Sequence, residues 1–68
     1  MQELMEQIGT SAGEIYNYLS SNGTTSFSKI KKDLDLKGNF ADLGLGWLAR
    51  EDKVHISKRG TSVSVSLK

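Results

Sequence analysis

Residues 54–67 read VHISKRGTSVSVSL, and apolar side chains occupy alternate positions on both sides of a central polar stretch. A period of two is typical of β-strands that have one buried and one solvated face. The segment Lys58–Thr61 contains Gly60 and interrupts the alternation, which predicts a hairpin turn. A two-stranded ribbon is too weak to stand alone, so this hairpin must pack on the rest of the chain.

Upstream of the hairpin, residues 3–20 carry a helical period. The apolar positions that step by three or four residues are Leu4, Ile8, Ala12, Ile15 and Leu19. Side chains at this spacing lie on one face of an α-helix, and polar side chains fill the opposite face. Asn22-Gly23 predicts the end of this first helix, because both residues tolerate the left-handed backbone conformation.

A short strand and a second helix are predicted next. Thr24–Phe27 is β-branched and short, and it predicts a brief strand with Phe27 pointing inward. The second helix is expected from about Ser28 to Asp35, where Ile30 and Leu34 share a face. Its N-cap is Ser26 or Ser28, and the sequence does not choose between them.

Leu36-Lys37-Gly38 predicts a tight connection to a third helix, as in helix-turn-helix units. Asn39 is a good N-cap for that helix, and Asp42 three residues later approximates a capping box. The third helix is expected to end at about Glu51.

The order helix, short strand, helix, tight turn, helix and hairpin is that of a winged helix. We therefore predict an α+β winged-helix fold for residues 1–68, as one domain, with three helices, a short first strand and a C-terminal two-stranded wing. Sixty-eight residues leave no room for a second domain. The residues expected to be largely buried are Ile8, Ile15, Leu19, Ile30, Leu34, Leu48, Val54, Ile56, Val63 and Val65.

Three stretches resemble a small bacterial and archaeal family of winged helix-turn-helix domains. They are Gly13–Leu19, Phe27–Ile30 and, most specifically, Leu45–Val54, which reads LGWLAREDKV. The resemblance covers nearly the whole chain. It implies the winged-helix fold and a DNA-binding role.

The composition argues against an enzyme. The sequence has no cysteine, and His55 is its only histidine, so we expect no catalytic residues, no metal site, no cofactor and no small-molecule substrate. Gly44-Leu45-Gly46 falls within a predicted helix rather than after a strand, so it is not a phosphate-binding loop. His55 alternates with apolar neighbours and is expected on the polar face of its strand.

The net charge of +1 conceals an uneven distribution. Residues 1–27 carry −3, residues 28–38 carry +2, residues 39–52 carry −2 and residues 53–68 carry +4. The acidic front and the basic tail can therefore attract each other within or between chains. The longest apolar run, Leu43–Ala49, is far shorter than the ~20 residues of a membrane span, and no leader opens the chain, so we expect a cytoplasmic protein.

The third helix has a wide apolar arc. Taken at 100° per residue, its apolar side chains span about 200°, whereas a core-facing stripe needs a little over 100°. In one interpretation a small core wraps far around this helix, with Phe40 and Trp47 under the wing. In the other, Phe40, Leu43 and Trp47 form an outer patch that meets a second chain. The second interpretation predicts a homodimer.

The basic side chains are the other functional signal. Lys29, Lys31 and Lys32 on the second helix, with Lys58 and Arg59 on the wing tip, lie where winged helices contact DNA phosphates. An ordinary solvated surface explains the same residues. The leading hypothesis is a nucleic-acid-binding or regulatory module with weak, phosphate-dominated contacts to double-stranded DNA. The alternative is a protein-interaction or dimerisation module that uses the apolar third helix.

Overall fold

The computed structural model describes residues 2–36 and 39–68, and the side chains of residues 2 and 3 are outside that description. The described residues form three helices and three strands, in the order helix, strand, helix, helix, strand, strand. Their bounds are α1 Gln2–Asn22, β1 Thr25–Ser26, α2 Phe27–Leu34, α3 Phe40–Arg50, β2 Val54–Arg59 and β3 Ser62–Leu67. The predicted α+β class and order of elements are confirmed. The predicted turn at Lys37 and Gly38 lies outside the described residues.

The sheet is antiparallel, with the strand order β1-β3-β2. In the hairpin Val54 pairs with Leu67 and Arg59 pairs with Ser62, so only two residues connect the strands. Gly60 takes the first of these positions with a φ of 58°, as a type II′ turn requires. The predicted hairpin is confirmed, and β1 adds a short third strand along β3 rather than leaving a two-stranded ribbon.

The first two helices end and begin as the sequence indicates. Gly23 follows α1 with a φ of 74°, and its amide donates to the carbonyl of Leu19 at 2.8 Å. Ser26, not Ser28, caps α2, because its hydroxyl oxygen accepts the amide of Lys29 at 3.2 Å. The second helix therefore starts at Phe27, one residue earlier than predicted.

The third helix begins differently from the prediction. Asn39 occupies the N-cap position, but its side chain makes no capping hydrogen bond. The predicted capping arrangement of Asn39 with Asp42 is therefore wrong. The backbone makes the first helical bond instead, from the amide of Leu43 to the carbonyl of Asn39 at 2.9 Å.

A Schellman turn leads from α3 into β2. The amide of Lys53 donates to the carbonyl of Leu48, and the amide of Asp52 donates to the carbonyl of Ala49, both at 3.0 Å. Asp52 adopts a φ of 59°, the left-handed conformation that this motif needs. The turn ends the helix at Arg50 and directs the chain into the wing.

The core lies where the helices meet the sheet. Every helix contributes, as do β2 and β3; the buried apolar residues are Ala12, Ile15, Leu19, Ile30, Ala41, Leu45, Leu48, Val54 and Val65. Six of the ten residues predicted to be buried belong to this set. Phe27 is half-buried and packs against it.

Four of the predicted core positions are less covered than expected. Ile8, Leu34 and Val63 are half-buried, and Ile56 is 44% exposed. Ile56 pairs with the fully buried Val65, so its side chain is on the correct face of the sheet. It lies on the edge strand β2, where only Val54 is buried. The alternation of apolar residues predicts which face of β2 points to the core. It does not show how far along the strand the helices cover that face.

The helices α1 and α3 approach most closely at Gly44. A Cβ atom added there would lie 3.0 Å from the backbone nitrogen of Ala12, 3.1 Å from the carbonyl carbon of Ser11 and 3.2 Å from Cδ1 of Ile15. The first two are backbone atoms, which cannot move aside without shifting α1. Glycine at position 44 therefore sets the distance between the two helices.

We predict opposite effects for alanine at the two α3 glycines. Gly44→Ala should destabilise the fold by about 1–2 kcal/mol, because overpacking outweighs the gain in helix propensity. Gly46→Ala, where nothing lies within 4 Å of the added Cβ, should stabilise it by up to about 1 kcal/mol. Thermal and urea unfolding of both variants measure the difference. Equal melting temperatures would contradict the close packing at Gly44.

Candidate nucleic-acid interface

The second helix presents its basic side chains to solvent. Lys29, Lys31 and Lys32 are all exposed, whereas Ile30 on the opposite face is completely buried. The capping hydroxyl of Ser26 fixes where this helix starts and so fixes which residues face outward. The three lysines therefore form one solvated basic surface.

A carboxylate engages one of these lysines. The Nζ of Lys29 lies 3.1 Å from Oδ2 of Asp33, one helical turn further on. The same carboxylate oxygen accepts the hydroxyl of Tyr18, on α1, at 2.5 Å. The contact therefore links α1 to α2 at the surface, and it places a negative charge among the lysines.

These contacts shift three pKa values. The hydroxyl of Tyr18 and the ammonium of Lys29 both donate to Asp33, so the pKa of that carboxyl is held below its usual value. The carboxylate in turn raises the pKa of Tyr18 and the pKa of Lys29. At pH 7 Asp33 is therefore an anion, Tyr18 is neutral and Lys29 is a cation. The negative charge of Asp33 partly offsets the positive charge of Lys29.

The other two lysines of α2 have different surroundings. The Nζ of Lys31 lies 5.1 Å from the centre of the Phe27 ring, within cation–π distance. Lys32 is exposed, and the structure records no ion pair for it with another described residue.

The wing tip carries the second basic pair. Lys58 and Arg59 are the last residues of β2, directly before the turn at Gly60, and both are exposed. β2 pairs with β3, and β3 packs against α2, so β3 joins the two basic elements. All five predicted phosphate contacts are thus solvent-accessible on described parts of the chain.

The outer face of α3 offers little for reading bases. Its exposed positions include Asp42, Gly46, Ala49 and Arg50. Base recognition in the major groove uses Arg, Lys, Asn or Gln, and here one Arg is accompanied by one Asp.

Two of the three predicted interface residues, Phe40 and Trp47, line different grooves. Phe40 and Leu43 are half-buried, and Phe40 lines a groove with Thr10, Glu14 and Leu36. Trp47 lines a different groove, against another side of α1. Because α3 crosses α1 at Gly44, Phe40 and Trp47 lie on opposite sides of α1.

We call this second groove the Trp47 groove; its volume is about 280 Å³. It is lined principally by Gly9, Gly13, Tyr16, Asn17, Trp47 and Lys53. The two aromatic side chains are only partly covered, with Tyr16 39% exposed and Trp47 40% exposed. Tyr16 belongs to no motif in the sequence that would have marked it as a site residue.

Among the described side chains, those of residues 4–36 and 39–68, no group of three or more His, Asp or Glu is placed to hold a metal ion. His55 is exposed on β2, as its alternation predicted. No helix in the part of the chain that the structure describes is long and apolar enough to cross a membrane.

Comparison with known proteins identifies the fold family. Residues 1–67 match the family described as winged helix-turn-helix domain (DUF2582). The chain belongs to this winged helix-turn-helix family. It is 38% identical over 71 residues to the uncharacterized protein MJ1608 of Methanocaldococcus jannaschii, with complete coverage of both chains. The family match bears out the resemblance seen in Leu45–Val54.

A solved structure shows the same architecture. The solution NMR structure of protein BT2368 from Bacteroides thetaiotaomicron superposes with a TM-score of 0.81 and 25% sequence identity. The alignment covers 98% of this chain and 79% of that chain. The predicted winged-helix fold is therefore confirmed, and winged-helix domains are typically non-enzymatic.

We predict that Asp33→Asn lowers the pKa of Tyr18. The neutral phenol donates to the Asp33 carboxylate, and a neutral amide favours that protonated form less. The aromatic ring resonances of Tyr18, followed by NMR through alkaline pH, should titrate earlier in the variant. Tyr18→Phe identifies the resonances that belong to this residue. An unchanged midpoint in Asp33→Asn would contradict the hydrogen bond between α1 and α2.

Proposed function

We propose that this winged helix-turn-helix domain binds double-stranded DNA through the phosphate backbone, with little sequence discrimination. The contacts would come from Lys29, Lys31 and Lys32 on α2 and from Lys58 and Arg59 on the wing tip. The observation that carries the proposal is the exposure of all five cations on two elements joined by β3.

The surface charge supports weak binding. Of the five cations only Lys29 forms an ion pair with a described carboxylate, that of Asp33, so the other four charges are not offset by an ion pair among the described residues. The whole chain nevertheless carries only +1, since residues 1–27 and 39–52 are acidic. Cations that displace counterions from DNA give an affinity that falls steeply with salt.

The third helix supports low sequence specificity. Asp42 is near its N-terminus, the end that approaches base edges in helix-turn-helix proteins, and a carboxylate there is repelled by neighbouring phosphates. Arg50 is at the other end of the helix. Phosphate contacts orient a protein on DNA, but they carry no sequence information directly.

The Asp33 carboxylate makes Lys29 less available to a DNA phosphate than Lys32. Lys29 must share its ammonium between Asp33 and a phosphate, whereas Lys32 has no such partner recorded among the described residues. Removing the Lys32 charge should therefore weaken binding more than removing that of Lys29. Asp33→Asn should strengthen binding, because it frees Lys29 and removes a repulsive charge.

We predict that binding to a mixed-sequence duplex weakens linearly in log affinity against log salt. Each of Lys32→Gln, Lys58→Gln and Arg59→Gln should flatten that slope by about one unit. Amide chemical-shift titrations starting at about 50 mM salt measure both affinity and the contact surface.

A control variant separates local contacts from net charge. Lys68→Gln removes one positive charge at the end of the hairpin opposite Lys58 and Arg59, where Lys68 is paired with Asp52. Its slope should stay close to that of the wild type. The proposal fails if duplex DNA leaves all amide resonances unmoved at low salt, or if Lys68→Gln acts like the wing-tip variants.

One observation favours the alternative, a protein-interaction module. Trp47 and Tyr16 lie together in an open groove, and partly exposed aromatic side chains are common anchors of protein interfaces. This groove involves α1 as much as α3, so the interface would not be the outer face of the third helix alone. Chemical shifts that move with protein concentration but not with DNA would favour this function.

A further inference from the structure

We propose that the Trp47 groove is the contact between two copies of this chain, which associate with their α1 helices packed antiparallel. This inference is independent of DNA binding. It concerns the face of α1 that carries Gly9 and Gly13, and the side chains of α3 that border it. The partner is a second copy of the chain because α1 and its groove complement each other in shape, register and charge.

Apolar side chains are exposed on the surface beside the groove. The helix α1 has 21 residues and so a length of about 31 Å, close to the 34 Å long dimension of the domain. The helix α3 has 11 residues and covers only part of it. Met5 near the start of α1 is 59% exposed, the largest exposed fraction among the large hydrophobic residues whose side chains the structure describes.

The backbone of the groove is open. No atom lies within 4 Å of a Cβ built at Gly9 or at Gly13. These glycines are therefore not needed for packing within the chain, unlike Gly44. Each lowers the helix propensity of α1, yet a second helix can approach such a surface closely.

The two open glycines define a register for the two antiparallel α1 helices. A two-fold axis midway between Gly9 and Gly13 places Gly9 of one copy opposite Gly13 of the other, and the reverse. The same operation places Glu6 of one copy opposite Tyr16 of the other. It also brings Met5 opposite Asn17, at the rim of the groove that holds Trp47.

The same register brings side chains of opposite charge together across the contact. Lys53 lines the groove together with Tyr16 and Asn17, so the antiparallel register carries Glu6 of one copy toward Lys53 of the other. Both side chains are exposed, and neither has a recorded ion pair with another described residue. The symmetry forms this pair twice. A parallel arrangement would instead bring each Glu6 beside its own equivalent.

The experiment measures solution mass against concentration by sedimentation. The wild type should rise from 7.5 kDa toward twice that mass as its concentration reaches hundreds of micromolar. Trp47 is the only tryptophan, so its emission should shift to shorter wavelength over the same range. A wild type that stays at 7.5 kDa throughout would overturn the proposal.

Charge reversal tests the register. Glu6→Lys and Lys53→Glu should each raise the dimer dissociation constant about tenfold, and the double variant should restore most of the loss. Glu14→Lys makes the same charge change on α1 at a residue lining the other groove, so it should have little effect. A dimer dissociation constant that neither reversal changes, or one that Glu14→Lys raises equally, would contradict this arrangement.

Alanine at the open glycines tests the close approach. Gly9→Ala/Gly13→Ala should raise the melting temperature of the isolated chain and weaken the dimer at least tenfold, because the added methyl groups separate the helices. Gly46→Ala adds a methyl group in open space on α3 outside the groove and should leave association unchanged. Dimers that survive the double alanine variant unchanged would place the interface elsewhere.

Discussion

At Gly44 the backbone of α3 lies against the backbone of α1 with no side chain between them. This spacing lets Ala12 and Ile15 on one helix and Leu45 and Leu48 on the other enter the same core. A larger residue at position 44 would widen the gap and leave that core underpacked. Interiors are packed to near-crystalline density, so a displacement of a few tenths of an ångström here is transmitted to neighbouring elements.

The crossing also determines which surfaces remain open. The helix α3 is shorter than α1 and lies across it, so it leaves a groove on each side of the contact. Phe40 lies in one groove and Trp47 in the other. Further along, the Schellman turn at Asp52 directs the chain into the wing and brings Lys53 to the edge of the Trp47 groove. The DNA-binding surface that we propose lies on other elements, α2 and the wing tip.

Much of this fold could be predicted from the sequence, because each element has a clear period and recognisable ends. Gly23 and Gly60 marked turns that need a positive φ, and both adopt one. Two features gave no such signal. Asp52 takes the left-handed conformation without being glycine, and the side chain of Asn39 leaves its expected capping bond unmade. Local propensity cannot show when tertiary packing will decide such details.

The candidate sites were less predictable for a related reason. The wheel of α3 showed an apolar arc of about 200°, but not which half of it faces the core. The structure buries Ala41, Leu45 and Leu48 and leaves Trp47 at the edge. Likewise the i,i+4 spacing of Lys29 and Asp33 was visible in the sequence. The participation of Tyr18, fifteen residues earlier, depends on how α1 and α2 pack.

The most direct test of the account is the proton–proton contact across the helix crossing. Nuclear Overhauser spectra should connect an α-proton of Gly44 with the δ1-methyl of Ile15 and with protons of Ala12, since a Cβ at position 44 would lie 3.0–3.2 Å from atoms of these residues. We predict strong cross-peaks to both. Their absence, with Gly44 instead in contact with residues of α2 or the sheet, would contradict the packing from which both grooves and the placement of Trp47 follow.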